Sequence, residues 1–146
     1  MSSPSLPDLD HPVEGPFWRA AAESRLEVQG CEACGYLRWP PAPICPECGV
    51  LGGRWEPIPP DGTIWSFTVY HRPLAPGLAD EVPYAVGLIE LDAGVRMIGR
   101  LSAPHESLAI GGRVSARFAP IGEGPRLPEW RPAEEHADAE AEGERA

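Results

Sequence analysis

Between Thr63 and Tyr70 the side chains alternate, with Trp65, Phe67 and Val69 on one face and Ser66, Thr68 and Tyr70 on the other. A period of two predicts a strand with one face buried. Val82 to Leu91 is apolar on both faces, as expected of a central strand. Asp92-Ala93-Gly94 then supplies a hairpin turn with a flexible glycine. Beyond it Val95, Met97, Gly99 and Leu101 alternate against Arg96, Ile98 and Arg100. Gly111-Gly112 opens a further strand, in which Val114, Ala116 and Phe118 alternate against Arg113, Ser115 and Arg117. About five short strands with one sustained inward face predict a small closed barrel over residues 55–132.

The only helical period lies upstream. Phe17, Trp18, Ala21, Ala22 and Leu26 are spaced by threes and fours and predict a helix from Pro16 to Leu26, with the proline in the first turn. Its apolar stripe has two readings. It packs on the chain's own core, or it docks a partner, as amphipathic helices do in grooves.

Composition agrees with short strands. The 146 residues include 19 prolines and 16 glycines, far above ordinary usage. Long helices are disfavoured, and no apolar run approaches the ~20 residues that span a bilayer. The first residues show no basic region followed by an apolar one, so no signal peptide is expected and the cytoplasm is the expected compartment. No membrane association is expected.

The net charge is −10, unevenly spread. Residues 1–92 carry −8, residues 93–132 carry +3 and residues 133–146 carry −5. An acidic chain is a poor nucleic-acid binder, because neutralising phosphates supplies most of the non-specific affinity. The positive stretch, with Tyr70 or Tyr84 as stacking platforms, keeps single-stranded nucleic acid open as an alternative. Both ends, residues 1–12 and the acidic 133–146, are too poor in large hydrophobes to offset their ordering entropy and are expected to be disordered.

The strongest chemical signal is Cys31-Glu32-Ala33-Cys34-Gly35 followed by Cys45-Pro46-Glu47-Cys48-Gly49. Each C-x2-C pair forms a tight turn that offers two thiolates, and the glycine after each suits a sharp reversal with positive φ. Four soft sulfur ligands suit tetrahedral Zn²⁺. The intervening segment has room for one hairpin, which describes a zinc ribbon. With four cysteine ligands no coordination position is left for substrate, so the metal is structural. An iron electron carrier uses the same ligands but normally has a longer separation between the pairs.

No catalytic residue is expected. Every cysteine belongs to the cluster, and His71, in Tyr70-His71-Arg72-Pro73, has no nucleophile or acid partner in view. Arg96, Arg100, Arg113 and Arg117 point outward on two strands taken as neighbours. Four guanidinium groups on one face are candidates for binding phosphate oxygens. The loop from Arg72 to Pro83 is long for a hairpin and is expected at a partner or ligand surface.

The chain resembles the acyl-CoA-associated proteins that join a rubredoxin-like zinc ribbon to an oligonucleotide/oligosaccharide-binding (OB) barrel. The marks are Phe17-Trp18, the ribbon CEACG…CPECG with Pro40-Pro41 between the pairs, and Trp55. GTIWSFTVYHRP at 62–73, VPYAVGLIELDAGVRMIGRL at 82–101 and LPEWRP at 127–132 complete them. The resemblance implies a mostly β fold: residues 13–54 as helix plus ribbon, and residues 55–132 as a five-stranded OB-fold barrel. It also implies a non-catalytic accessory subunit of a thiolase-superfamily acyl-CoA enzyme, such as an acetyltransferase, a thiolase or a steroid side-chain retro-aldolase. That subunit would dock a thiolase-like partner in a hetero-oligomer and help to form the CoA/acyl channel, with Arg96, Arg100, Arg113 and Arg117 as the candidates for the CoA phosphates. Phe17, Trp18, Tyr36, Leu37, Trp39 and His71 are the docking candidates. No hydratase domain is evident, so a free-standing small subunit is expected.

Overall fold

The computed structural model describes residues 5–133. One helix, α1 (Gly15–Ala22), precedes a ribbon sheet of β1 (Glu27–Gly30), β2 (Leu37–Arg38) and β3 (Arg54–Pro57). The barrel follows: β4 (Asp61–Tyr70), β5 (Tyr84–Leu91), β6 (Arg96–Leu101), β7 (Arg113–Pro120) and β8 (Arg126–Pro132). The ribbon sheet has the order β2-β1-β3 and the barrel closes as β4-β5-β6-β8-β7. The fold is therefore mostly β, with the short helix, the ribbon and the five-stranded barrel that the sequence predicts. No helix among the described residues is long and apolar enough to cross a membrane.

The helix is shorter than its periodicity predicts, ending at Ala22 rather than Leu26. The Ser24 N–H donates to Ala21 O, and the Arg25 N–H reaches back to Ala20 O at 2.9 Å. This pair of bonds needs a left-handed residue after the helix, and Ser24 takes it with φ 61°. Leu26 is thereby released to the core, where it is buried beside Phe17 and Val28.

β4 corrects the predicted inward face. The register on β5 shifts between Ile64 and Ser66, so Trp65 is an extra residue in a bulge. A bulge flips the alternation. Ile64 is buried before it, Phe67 and Val69 pack on the core after it, and Trp65 is exposed. In β7, Ser115 is buried together with Val114 and Ala116, so the predicted alternation of buried and exposed positions is broken there.

Closure is achieved at one position, where Leu101 of β6 meets Trp130 of β8 in parallel. Trp130, Ile89, Leu91, Met97 and Val114 fill the interior. The expected boundary between residues 54 and 55 falls inside β3, which is hydrogen-bonded to β1 from Arg54 to Pro57. The chain passes to the barrel through Ile58, Pro59 and Pro60. Within the expected disordered segment 1–12, residues 8–11 form a turn in which the His11 N–H donates to Asp8 O, and Gly15 then bonds back to His11 O at 2.8 Å. Residues 1–4 of that segment, and residues 134–146 of the expected tail 133–146, lie outside the described residues.

Candidate metal centre

Two equivalent turns bring the cysteines together. The Cys31 N–H donates to Tyr36 O and the Gly35 N–H to Cys31 O. In the second turn Cys45 donates to Val50 O and Gly49 to Cys45 O, all at 2.9 Å. Gly35 and Gly49 have φ of 76° and 77°. No atom lies within 4 Å of where their Cβ would stand. Their glycines serve backbone conformation, not space.

The two turns face each other. Cys31 Sγ lies 3.5 Å from Cys48 Sγ, and Cys34 Sγ lies 3.7 Å from Cys45 Sγ. All four sulfurs fall within 4.8 Å of one another. Zn–S bonds of ~2.3 Å in a tetrahedron place sulfurs about 3.8 Å apart, so the cluster fits the ion. The first cysteine of each pair is buried and the second exposed. The Cys31 thiol is lowered to about 6, chiefly because the Cys34 N–H donates to it. For Cys48 the Val50 N–H pulls the thiol down, but facing Cys31, burial and the other two sulfurs outweigh it and push it up to about 12. Bound zinc would draw on Cys31, Cys34, Cys45 and Cys48 and would supply cross-linking rather than chemistry, since four thiolates fill a tetrahedral site.

The predicted arginine face does not form. β6 and β7 are separated by β8. Three of the four guanidinium groups already meet carboxylates: Arg96 with Glu90, Arg100 with Glu81 and Arg113 with Asp92. Arg96 also lies over the Trp65 ring, 3.8 Å from its centroid, and Arg100 over Tyr84. Arg117 has no carboxylate partner among the described residues. It borders a cleft of about 510 Å³ lined by Ser24, Leu26, Ile58, Pro60 and Phe118. A second cleft of about 390 Å³ is polar and holds Glu81, Tyr84, Arg100 and Ser102. Tyr84, one of the proposed stacking platforms for nucleic acid, is buried and stacked on Tyr70 at 5.2 Å.

The docking candidates separate. Phe17 is 2% exposed and belongs to the core, wedged between Trp18 at 4.8 Å and Trp39 at 6.0 Å. It is not a surface anchor, because α1 packs on β1 and β8 with this side chain inward. Trp18, Leu37 and Trp39 are half-buried against the same core. Tyr36 is exposed, and so is His71, whose ring meets His105 edge-on at 5.8 Å. Sequence reasoning missed a cluster on the second turn: Ile44, Val50 and Leu51 are all exposed, and Ile44 and Leu51 pair as a bridge. The signal was present, since large hydrophobes flanking a metal turn have no core of their own to enter.

Comparison with known proteins follows the two halves of this fold. Residues 18–52 match the ChsH2 rubredoxin-like zinc ribbon domain. Residues 55–119 match the ChsH2 C-terminal OB-fold domain. Among curated proteins the chain is 38% identical over 121 residues to a probable enoyl-CoA hydratase alpha subunit of Thermomonospora curvata, covering 80% of this chain and 37% of that one. It is 36% identical over 103 residues to the 3-oxo-4,17-pregnadiene-20-carboxyl-CoA hydratase alpha subunit of Mycobacterium tuberculosis, covering 70% of this chain and 32% of that one. The chain thus spans about a third of the length of these relatives. Among solved structures, a chain of the Ltp2-ChsH2(DUF35) aldolase superposes with a TM-score of 0.77 at 31% identity, covering 86% of this chain and 98% of that one. A DUF35 protein of unknown function from Sulfolobus solfataricus shares the fold, with a TM-score of 0.59 at 14% identity.

Proposed function

The chain belongs to the ChsH2 family of zinc ribbon–OB-fold proteins, and we propose that it is the non-catalytic partner of a thiolase-like acyl-CoA enzyme. The observation that carries this reading is the near-complete coverage of a chain from an aldolase named for two components, Ltp2 and ChsH2. The relatives named as hydratase alpha subunits act on CoA thioesters by their names. This chain aligns with only part of each, so the substrate class is a proposal here.

The residues support an accessory role. The cysteines are committed to one cluster, and a tetrathiolate site leaves no position for an activated water. A partner surface is available on the ribbon, where Ile44, Val50 and Leu51 are exposed around the second cysteine turn and Tyr36 is exposed after the first. Apolar side chains clustered at the tip of a rigid module are what an interface core uses. For CoA, the supporting feature is the cleft between ribbon and barrel. Its walls are largely apolar, and Arg117 at its edge has a guanidinium with no carboxylate partner among the described residues, suited to a phosphate oxygen.

The test is reconstitution with a thiolase-like acyl-CoA enzyme from the same organism. A stable heteromer should form, and acyl-CoA turnover should require both components. Turnover by this chain alone, undiminished on further purification, overturns the reading, as does a partner enzyme fully active without it.

A further inference from the structure

Arg38 is the one charged side chain buried among the described residues, at 5% exposure. No carboxylate among the described residues meets it. Its Nε donates to Gln29 Oε1 at 2.8 Å, and its Nη2 donates to Ala42 O at 3.0 Å and Gly52 O at 2.7 Å. Gln29 Oε1 also accepts the Ala42 N–H at 2.8 Å. Burying a guanidinium against neutral oxygens alone is costly. A hydrophobic residue would pair β1 with β2 equally well, so the sheet does not require this group.

What the group reaches explains its presence. Ala42 and Gly52 are the two roots of the loop 43–51, which carries Cys45 and Cys48. The Gly52 N–H closes the same neck on Pro43 O at 2.8 Å. At Gly53 a Cβ would stand 2.9 Å from Gly30 O and 3.2 Å from Arg38 Nη2, so loop, strand and guanidinium are in direct contact. Only a fork with several fixed donors spans oxygens on two segments at once. Tying both ends of a loop removes the entropy it would otherwise lose when its ligands close on a metal.

We propose that Arg38 is the positioning residue of the metal centre: it locks the neck of the second cysteine turn, so that Cys45 and Cys48 are held facing Cys31 and Cys34 before zinc arrives. The proposal concerns the zinc ribbon alone and does not depend on the partner reading above.

The experiment measures zinc affinity of the full chain by competition with a chromophoric chelator. Arg38→Met keeps the apolar stem and removes the fork, and should weaken zinc binding tenfold or more, the range found when groups that orient ligands are lost. Arg38→Lys keeps the charge but not the fork, and should fall close to Arg38→Met. Gln29→Glu accepts the same two hydrogen bonds and should bind zinc as wild type does. Cobalt-loaded Arg38→Met should show weakened tetrahedral thiolate bands, while barrel melting with saturating zinc stays unchanged. Wild-type zinc affinity in Arg38→Met overturns the proposal. If that variant does not fold, wild-type affinity in Arg38→Lys does the same. An affinity loss matched by an equal fall in barrel melting would make Arg38 a general core residue and also overturns it.

Discussion

The indole of Trp130 lies directly against the backbone of Gly99, so that a Cβ at Gly99 would stand 2.5 Å from its Nε1. This contact sits where β6 and β8 meet at Leu101 and Trp130, the single rung that closes the barrel. Trp130 is wholly buried in the core. Gly99→Ala should therefore destabilise the barrel by about 1–3 kcal/mol, the usual cost of overpacking. Thermal unfolding checks this, and zinc content should be unaffected. An unchanged melting temperature would mean that the indole shifts freely.

The metal centre should hold one zinc ion per chain. Cys45→Ser should abolish stoichiometric binding, measured by elemental analysis, and lose the ribbon's protection against proteolysis. The barrel should survive, since its interior is filled by its own residues such as Ile89, Met97 and Trp130. Acid should also release the metal, because protons compete for thiolates. Carefully purified protein without metal would refute the assignment.

Phe17 and Leu51 should behave oppositely. Phe17 is buried in the core and Leu51 is 75% exposed. Phe17→Ala should cost about 3–5 kcal/mol of stability. Leu51→Asp should leave the melting temperature of the free chain nearly unchanged but weaken assembly tenfold or more, at ~1.4 kcal/mol per decade. Titration calorimetry with the partner subunit separates the two. Unimpaired assembly in Leu51→Asp would move the docking surface away from the ribbon tip.

Arg117 and Arg113 offer a test of the CoA reading in the assembled enzyme. Arg113 is engaged by Asp92 at 2.7 Å, while Arg117 borders the cleft. Arg117→Ala should raise KM for the CoA thioester and leave kcat unchanged, the signature of lost uniform binding. Arg113→Ala should alter neither. Identical kinetics for both variants would leave the cleft without a phosphate role.

The Asp92–Arg113 pair also predicts a pH dependence. Hydrogen bonding from Arg113 holds the Asp92 carboxyl below its usual value. A folded value below the unfolded one stabilises the protein fully above the unfolded value, near ~4, and the contribution is lost as pH falls through the lowered value. Wild type should thus exceed Asp92→Asn in stability at neutral pH, and the two should converge on strong acidification. Both side chains are about half exposed, so the gap should be small and should shrink with salt. A gap that persists unchanged in acid would show that it is not ionic.

What the chain determined by itself is local. The paired cysteines and the glycine after each specify two tight turns, because sulfur geometry and positive φ are settled within five residues. The alternation from Val95 to Leu101 specifies a strand, with Val95, Met97 and Leu101 buried. Tertiary structure decided everything that depends on which segments become neighbours. Arg100 and Arg117 are not on neighbouring strands because β8 enters between them, and no periodicity in β6 or β7 encodes that insertion. Trp65 left the core because pairing with β5 absorbs an extra residue there. Ser24 ended the helix by taking a conformation that its side chain merely tolerates, which freed Leu26 for the core. Phe17 went inward because α1 packs on β1 and β8, so burying the ring between Trp18 and Trp39 outweighed leaving it as an anchor. An amphipathic stripe records that a face is apolar. What covers the face is fixed only when distant strands close around it.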